Sequence, residues 1–217
     1  MTPTPPPLPA DIAPSERDQQ TRERLLAAGV HVFDRKGYTA ASVREITELA
    51  GVTKPALYYH FGSKEGLLVT ILEQATRSFM EATAQAVLRT GPTIDRVTAF
   101  CDDIFALFEQ TVPIVRVAHT VLFGPPDAAP PFDPSASERQ VRQLLQQMIE
   151  DGQAAGDVRR DLSAEDVSLA VMGLLEGCWA RQLHSGFDRI DLATLRRIVR
   201  ILFEGVSAPR TTAGENT

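Results

Sequence analysis

Residues 42–64 read SVREITELAGVTKPALYYHFGSK. Ser42 is a helix N-cap, and Glu45 stands three residues on, the spacing of a capping box. Gly51 ends that short helix and supplies the backbone freedom of a sharp turn. Thr53 caps a second helix. Pro55 falls in its first turn, where the missing N–H has no helical acceptor to lose. Gly62 closes it, and Ser63 caps a third. The spacing therefore predicts two short helices joined by the tight turn LAGVTK. Ile46 and Leu49 are expected to face inward from the first helix, with Val52 in the turn, and Leu57 and Phe61 inward from the second. This is a helix-turn-helix layout, whose second helix lies in a DNA major groove in nucleic-acid-binding proteins. Corners of this shape also occur in helical proteins that bind no DNA, so the outward residues decide the reading.

If Leu57 and Phe61 face inward, Thr53, Lys54, Ala56, Tyr58, Tyr59 and His60 spread over the exposed side. Aromatic residues make up only 6% of the chain, yet four consecutive positions carry rings here. Their apolar bodies and polar tips suit sugar–phosphate edges and thymine methyl groups. Arg44 lies in the first turn of the preceding helix, within reach of a base edge or phosphate. Lys64 opens the next helix, where N–H groups and an ammonium together favour an anion. Plainer readings stand beside these. Tyr58 also suits a core edge. His60 suits packing between helices as well as contact with DNA. Arg22 and Arg24 read as solvated side chains that also reach towards phosphates.

The stretch from Thr21 to Leu68, TRERLLAAGVHVFDRKGYTAASVREITELAGVTKPALYYHFGSKEGLL, resembles the DNA-binding domain of the TetR family of bacterial transcriptional regulators. Phe33, Gly37, Tyr38, Ile46, Ala50, Gly51, Val52, the run LYYHF and Lys64 carry the likeness. It implies an all-helical homodimeric regulator, usually a repressor, whose C-terminal domain binds a small molecule and so releases double-stranded DNA. By position within the motif, Tyr58 and Lys64 fall where the family contacts phosphate. Ser42 and Arg44 lie at the start of the supporting helix, and Thr53, Lys54, Ala56, Tyr59 and His60 on the recognition helix. Ala56 offers only an apolar contact. Activation instead of repression, and a helical carrier or enzyme that keeps the fold, are the alternatives.

The rest of the chain fits an all-α protein. Its 217 residues are long enough for one large domain or two small ones. Almost every segment has helical period, and about nine helices are expected. The first runs from 18 to 36 and is stopped by Gly37. The fourth runs to about Arg89, the fifth from 94 to 110, and Pro113 opens a sixth that stops at Gly124. Residues 124–137 read as a mobile loop. Three more helices follow, at 136–155, 163–185 and 191–207. The proline-rich residues 1–15 and the stretch 208–217 read as disordered tails, leaving a DNA-binding domain at 16–64 and an effector and dimerisation domain at 65–207.

Net charge is −6, which by itself discourages a polyanion-binding protein. The distribution softens this: residues 16–66 carry eight Lys/Arg and seven Asp/Glu, a net of +1, and the remainder carries −7. No apolar run reaches membrane-spanning length, so no membrane partner is expected. The two cysteines, Cys101 and Cys178, sit in apolar helical patterns and fit a reducing cytosol. The four histidines are far apart in sequence, which gives no metal-ligand spacing, and no nucleophile motif or phosphate-binding glycine loop appears. No cofactor and no enzyme activity are expected.

Two further surfaces are legible as expectations. Gly173 and Gly177, four residues apart, suggest close backbone approach. With Val171, Leu174, Cys178, Leu195, Val199 and Leu202 they form the expected dimer interface, although ordinary internal packing explains the same stripe. An effector cavity, apolar with a few polar groups, is expected from Phe79, Phe100, Phe108, Met148 and Phe123, with Arg116, His119, Trp179 and Gln182 as polar-tipped members.

Overall fold

A computed structural model describes residues 15–125, 129–130, 132–183 and 188–206. The expected tails apart from Ser15, which is the N-cap of α1, part of the 124–137 loop and His184 lie outside the described residues. Eight helices are described: α1 Glu16–Ala40, α2 Val43–Ala50, α3 Lys54–Phe61, α4 Lys64–Val87, α5 Thr93–Phe123, α6 Ser135–Ala155, α7 Ala164–Leu183 and α8 Leu192–Val206. The chain divides into two compact units, and the division falls between Ile71 and Leu72, inside α4.

In the first unit, Leu25, Ala28, Val32 and Phe33 of α1 are buried, as are Ile46, Ala50, Leu57, Leu67 and Leu68, and α1 packs on α2 and α3. Gly29 permits the closest approach: a Cβ there would stand 2.9 Å from Leu67 Cδ2. Helical structure does stop at Gly37, which takes φ 76° and ψ 165°, but one more turn follows it to Ala40. That conformation is open to glycine and strained for other residues.

The expected inward face of α2 is corrected. Ile46 is fully buried, but Leu49 is 54% exposed. The buried stripe is Ile46, Thr47 and Ala50, whose centre is turned about 100° away from Leu49 on a 3.6-residue helix. Thr47 tolerates burial because its hydroxyl donates to the carbonyls of Val43 and Arg44, at 2.9 and 3.0 Å.

The second unit packs one apolar core from α5, α6, α7 and α8 with the later part of α4. The fifth and sixth expected helices are one, α5, with a kink at Thr111 (φ −124°, ψ 20°) two residues before Pro113. Proline removes the N–H that would bond the carbonyl of Glu109, and one turn earlier the Thr111 hydroxyl donates to the carbonyl of Leu107 at 2.7 Å. The chain therefore bends without stopping. The start of α5 is held from far along the sequence. Its N-cap is Pro92, which makes no side-chain cap. Asp157 Oδ2 instead accepts from the Thr93 N–H and hydroxyl, at 2.8 and 3.0 Å. Among the described residues no helix is long and apolar enough to cross a membrane.

Candidate nucleic-acid interface

The corner between α2 and α3 is built as its turn chemistry requires. Ser42 Oγ accepts the Glu45 N–H at 3.2 Å, a cap worth about 1 kcal/mol in such settings. Lys36 forms an ion pair with Glu45, and this hydrogen bond holds the Glu45 carboxyl below the usual carboxylate range. Gly51 adopts the left-handed conformation, φ 64° and ψ 38°, and the Val52 N–H bonds back to the Thr47 carbonyl at 3.0 Å. The chain turns there because glycine carries no Cβ penalty in that region.

Thr53 is the N-cap residue of α3, but its side chain makes no capping bond. Its carbonyl accepts the Ala56 N–H at 3.1 Å. Its hydroxyl is thus left on an exposed residue at the start of the helix. Leu57 is the single fully buried residue of α3. It fixes the rotation of the helix and sends Tyr58 and Tyr59 outward, 51% and 78% exposed. Thr53 and Lys54 are exposed, while Ala56 and His60 are half-buried. The His60 ring meets Tyr59 edge-on at 4.9 Å, so His60 packs and borders the exposed face at once. Phe61, expected to be inward, is half-buried and lies under the Arg22 guanidinium, 5.5 Å from the ring centroid. Arg22 therefore covers an aromatic ring.

Ser42 and Arg44 are exposed at the start of α2. Arg44 Nε donates to Glu48 Oε1 at 2.7 Å, which leaves its terminal nitrogens for other partners. Lys64 departs most from expectation. Two of the three protons of its ammonium go to the protein itself: it donates to the carbonyls of Tyr38 and Ala41, at 2.9 and 2.8 Å. Leu49, expected to face inward, instead joins the exposed side chains of this unit. Its signal was available only in the three-dimensional phase of α2.

In the second unit, the expected effector residues separate. Phe100, Phe108 and Met148 are buried core. Phe123 is 64% exposed at the end of α5, so it lines no enclosed cavity there and is withdrawn from that set. Gln182 is a tie, its amide donating to the Ile190 carbonyl at 2.6 Å. Arg116 and His119 are half-buried on α5, and the His119 ring lies 4.9 Å from that of Phe123. Phe79, Phe108 and Trp179 do come together: Phe108 stacks parallel to the indole at 5.9 Å and Phe79 meets it edge-on at 5.9 Å. The Trp179 indole N–H is buried without a hydrogen-bond partner among the described residues.

The expected dimer surface separates as well. Val171, Leu195 and Val199 belong to the protomer's own core and present nothing outward. Gly173 and Gly177 face open space, with no heavy atom within 4 Å of a Cβ built on either. They line a groove of about 560 Å³ between α7 and α8, together with Ala170, Leu174, Cys178, Ile198, Ile201 and Leu202. Ile201 is 67% exposed beside it.

Residues 25–71 match the model of the family "Bacterial regulatory proteins, tetR family". The chain is 28% identical over 186 residues to the transcriptional repressor NicS of Pseudomonas putida, covering 82% of this chain and 85% of that protein. Among solved structures, a regulatory protein of the tetR family from Rhodococcus superposes with a TM-score of 0.71 at 22% identity, covering 87% of this chain and 98% of that one. A gamma-butyrolactone receptor superposes with a TM-score of 0.65 at 24% identity, covering 90% and 92%. At these identities the two structures speak for the fold.

Proposed function

The chain belongs to the TetR family of bacterial transcriptional regulators, and we propose that it is a dimeric repressor released from a two-fold symmetric operator by a small molecule. The observation that carries the reading is α3: an eight-residue helix whose buried Leu57 turns two tyrosines outward beside Lys54 and Thr53. A folded monomer gains nothing by exposing two such rings side by side. A major groove accepts them. In this reading Tyr58 binds phosphate through its hydroxyl. Ser42 and Arg44 bind the flanking backbone, and Thr53, Lys54, Ala56, Tyr59 and His60 face the bases and groove walls.

The α7–α8 groove supplies the second subunit. Two glycines four apart with open space above them suit a partner helix at close range, and a symmetric operator demands a two-fold partner. Two recognition helices then reach successive major grooves about 34 Å apart. The effector reading rests on the Phe79–Phe108–Trp179 cluster. A buried N–H without an acceptor costs about 1–3 kcal/mol, and a largely apolar ligand with one acceptor oxygen would recover it. Such a ligand and DNA must weaken each other by the same factor. The chain passes from one unit to the other within α4, the helix through which such coupling would run.

The test is selection of duplexes from a random pool by the intact protein, followed by gel shift at low salt. Enrichment of a two-fold symmetric sequence is expected. Failure to bind any duplex would overturn the reading.

A further inference from the structure

Lys64 is the first residue of α4, directly after the cap residue Ser63, whose hydroxyl accepts the Gly66 N–H at 2.9 Å. Its side chain runs back to the end of α1. There the Lys64 ammonium donates to two carbonyls, that of Tyr38 in the last turn and that of the C-cap residue Ala41. The same nitrogen stands 4.2 Å from the Tyr38 ring centroid, in the cation–π range. Tyr38 is itself packed on Phe33, with ring centroids 5.7 Å apart. An ammonium has three protons. Two go to carbonyls and the charge rests against an aromatic face. Partial burial pushes the Lys64 pKa down, as expected for a cation drawn away from water.

The two carbonyls occupy a decisive place. Ala41 is buried and immediately precedes Ser42, the cap of α2. The Tyr38 carbonyl also accepts the Ala41 N–H at 3.2 Å. Whatever fixes Tyr38 and Ala41 fixes the point from which α2 departs, and α2 carries the turn that aims α3. We propose that Lys64 is a positioning residue: it acts on DNA by locking the α1–α2 corner to the first turn of α4, and not by contacting a phosphate. Lys36 and Glu45 brace the same corner from the other side. The first turn of α4 thereby bears on the aim of α3 through the α1–α2 corner.

This rests on the DNA-binding reading, and its test has one arm that does not need DNA. Lys64→Met keeps the stem and removes the charge. In the free protein, the amides of Ala41, Glu45 and Ile46 should exchange with solvent at least tenfold faster in this variant. Unchanged protection there would overturn the proposal whether or not the protein binds DNA. The second arm uses a duplex selected by the unaltered protein, with affinity measured from about 50 to 200 mM salt. A phosphate contact contributes a slope of about 0.9 in log K against log salt, so losing one per subunit lowers the slope of a dimer by about 1.8. The proposal expects affinity to fall about tenfold at every salt concentration with the slope unchanged. Tyr38→Leu, which removes only the ring beneath the ammonium, should weaken binding in the same salt-independent way. The double variant should be no weaker than Lys64→Met alone. A reduced slope, additive losses, or undiminished affinity in Lys64→Met would each overturn the assignment. If Lys64→Met does not fold, Tyr38→Leu alone decides: a fall in affinity with unchanged slope supports the lock, and undiminished affinity overturns it. A protein that enriches no duplex while its corner amides lose protection would instead refute the regulator reading alone.

Discussion

The face of α3 and the groove between α7 and α8 both expose side chains that a monomer usually buries, and they do so in different chemical styles. On α3 the exposed groups are Tyr58 and Tyr59, rings with hydroxyl tips, beside Lys54 and Thr53. In the groove they are mostly aliphatic: Ile201 is exposed, Leu202 and Ile198 are half-buried, two glycines leave open backbone, and Arg181 is the one charged lining residue among those described. Amphipathic rings with nearby cations suit a wet, charged partner that must be released and rebound. A largely aliphatic groove suits a partner that stays. The difference separates an interface for a polyanion from an interface for another protein surface, before either partner is identified.

The largest expected effect breaks the groove. In Gly177→Leu the new side chain has room within the protomer, so the chain should fold, yet a close partner helix would be displaced. Size-exclusion and ultracentrifugation should show monomers. Operator affinity should drop by about 10²-fold or more, as expected when a second linked site is lost. A dimer that persists would move the interface elsewhere. Next comes Tyr59→Ala on the reading face. Loss of about 1–3 kcal/mol per good base or groove contact should appear as a tenfold or greater loss of affinity, with dimerisation untouched. If dimerisation changed instead, the assignment of the two faces would be reversed.

A smaller effect is expected from Tyr58→Phe. It deletes one hydroxyl, worth about 0.5–1.5 kcal/mol as a hydrogen bond, and should weaken binding to all sequences equally. A changed base preference, read by repeating the selection, would place Tyr58 on a base. Smallest is the acid response. The Glu45 carboxyl is held below its usual range chiefly by the Lys36 hydrogen bond. Its contribution is therefore present above the unfolded glutamate pKa and is lost as pH falls through the lower folded value. Melting of the DNA-binding unit followed from pH 6 down to about 3 should show this loss in the natural protein and a flatter profile in Lys36→Met.

Much of the fold was legible because it rests on local chemistry. Ser42 and Ser63 cap as their spacing indicates, Ser163 and Asp191 do the same for α7 and α8, and Leu57 is buried where helical phase puts it. What was not legible depended on satisfaction by distant or unexpected partners. Thr47 takes an inward position that a polarity pattern assigns to Leu49, because its hydroxyl finds two carbonyls within its own helix. Pro113 reads as a break but only bends α5. The Lys64 amine reads as a free cation because nothing local announces the carbonyls of residues 38 and 41. Val171, Leu195 and Val199 read as interface because an apolar stripe does not say which of its edges is already covered.

The cap on α5 has a consequence for how the chain is made. Asp157 lies 64 residues beyond Thr93, whose N–H and hydroxyl it receives. At roughly 5–20 residues per second of synthesis, α5 emerges and waits about 3–13 s before its first turn can be closed. During that interval its apolar stripe, with Phe100, Phe105 and Phe108, has neither its cap nor the α7 and α8 surfaces it will pack against. The second unit is thus completed from its C-terminal end, and the nascent chain passes through a stage at which a ribosome-associated chaperone would find three exposed phenylalanines on one unfinished helix.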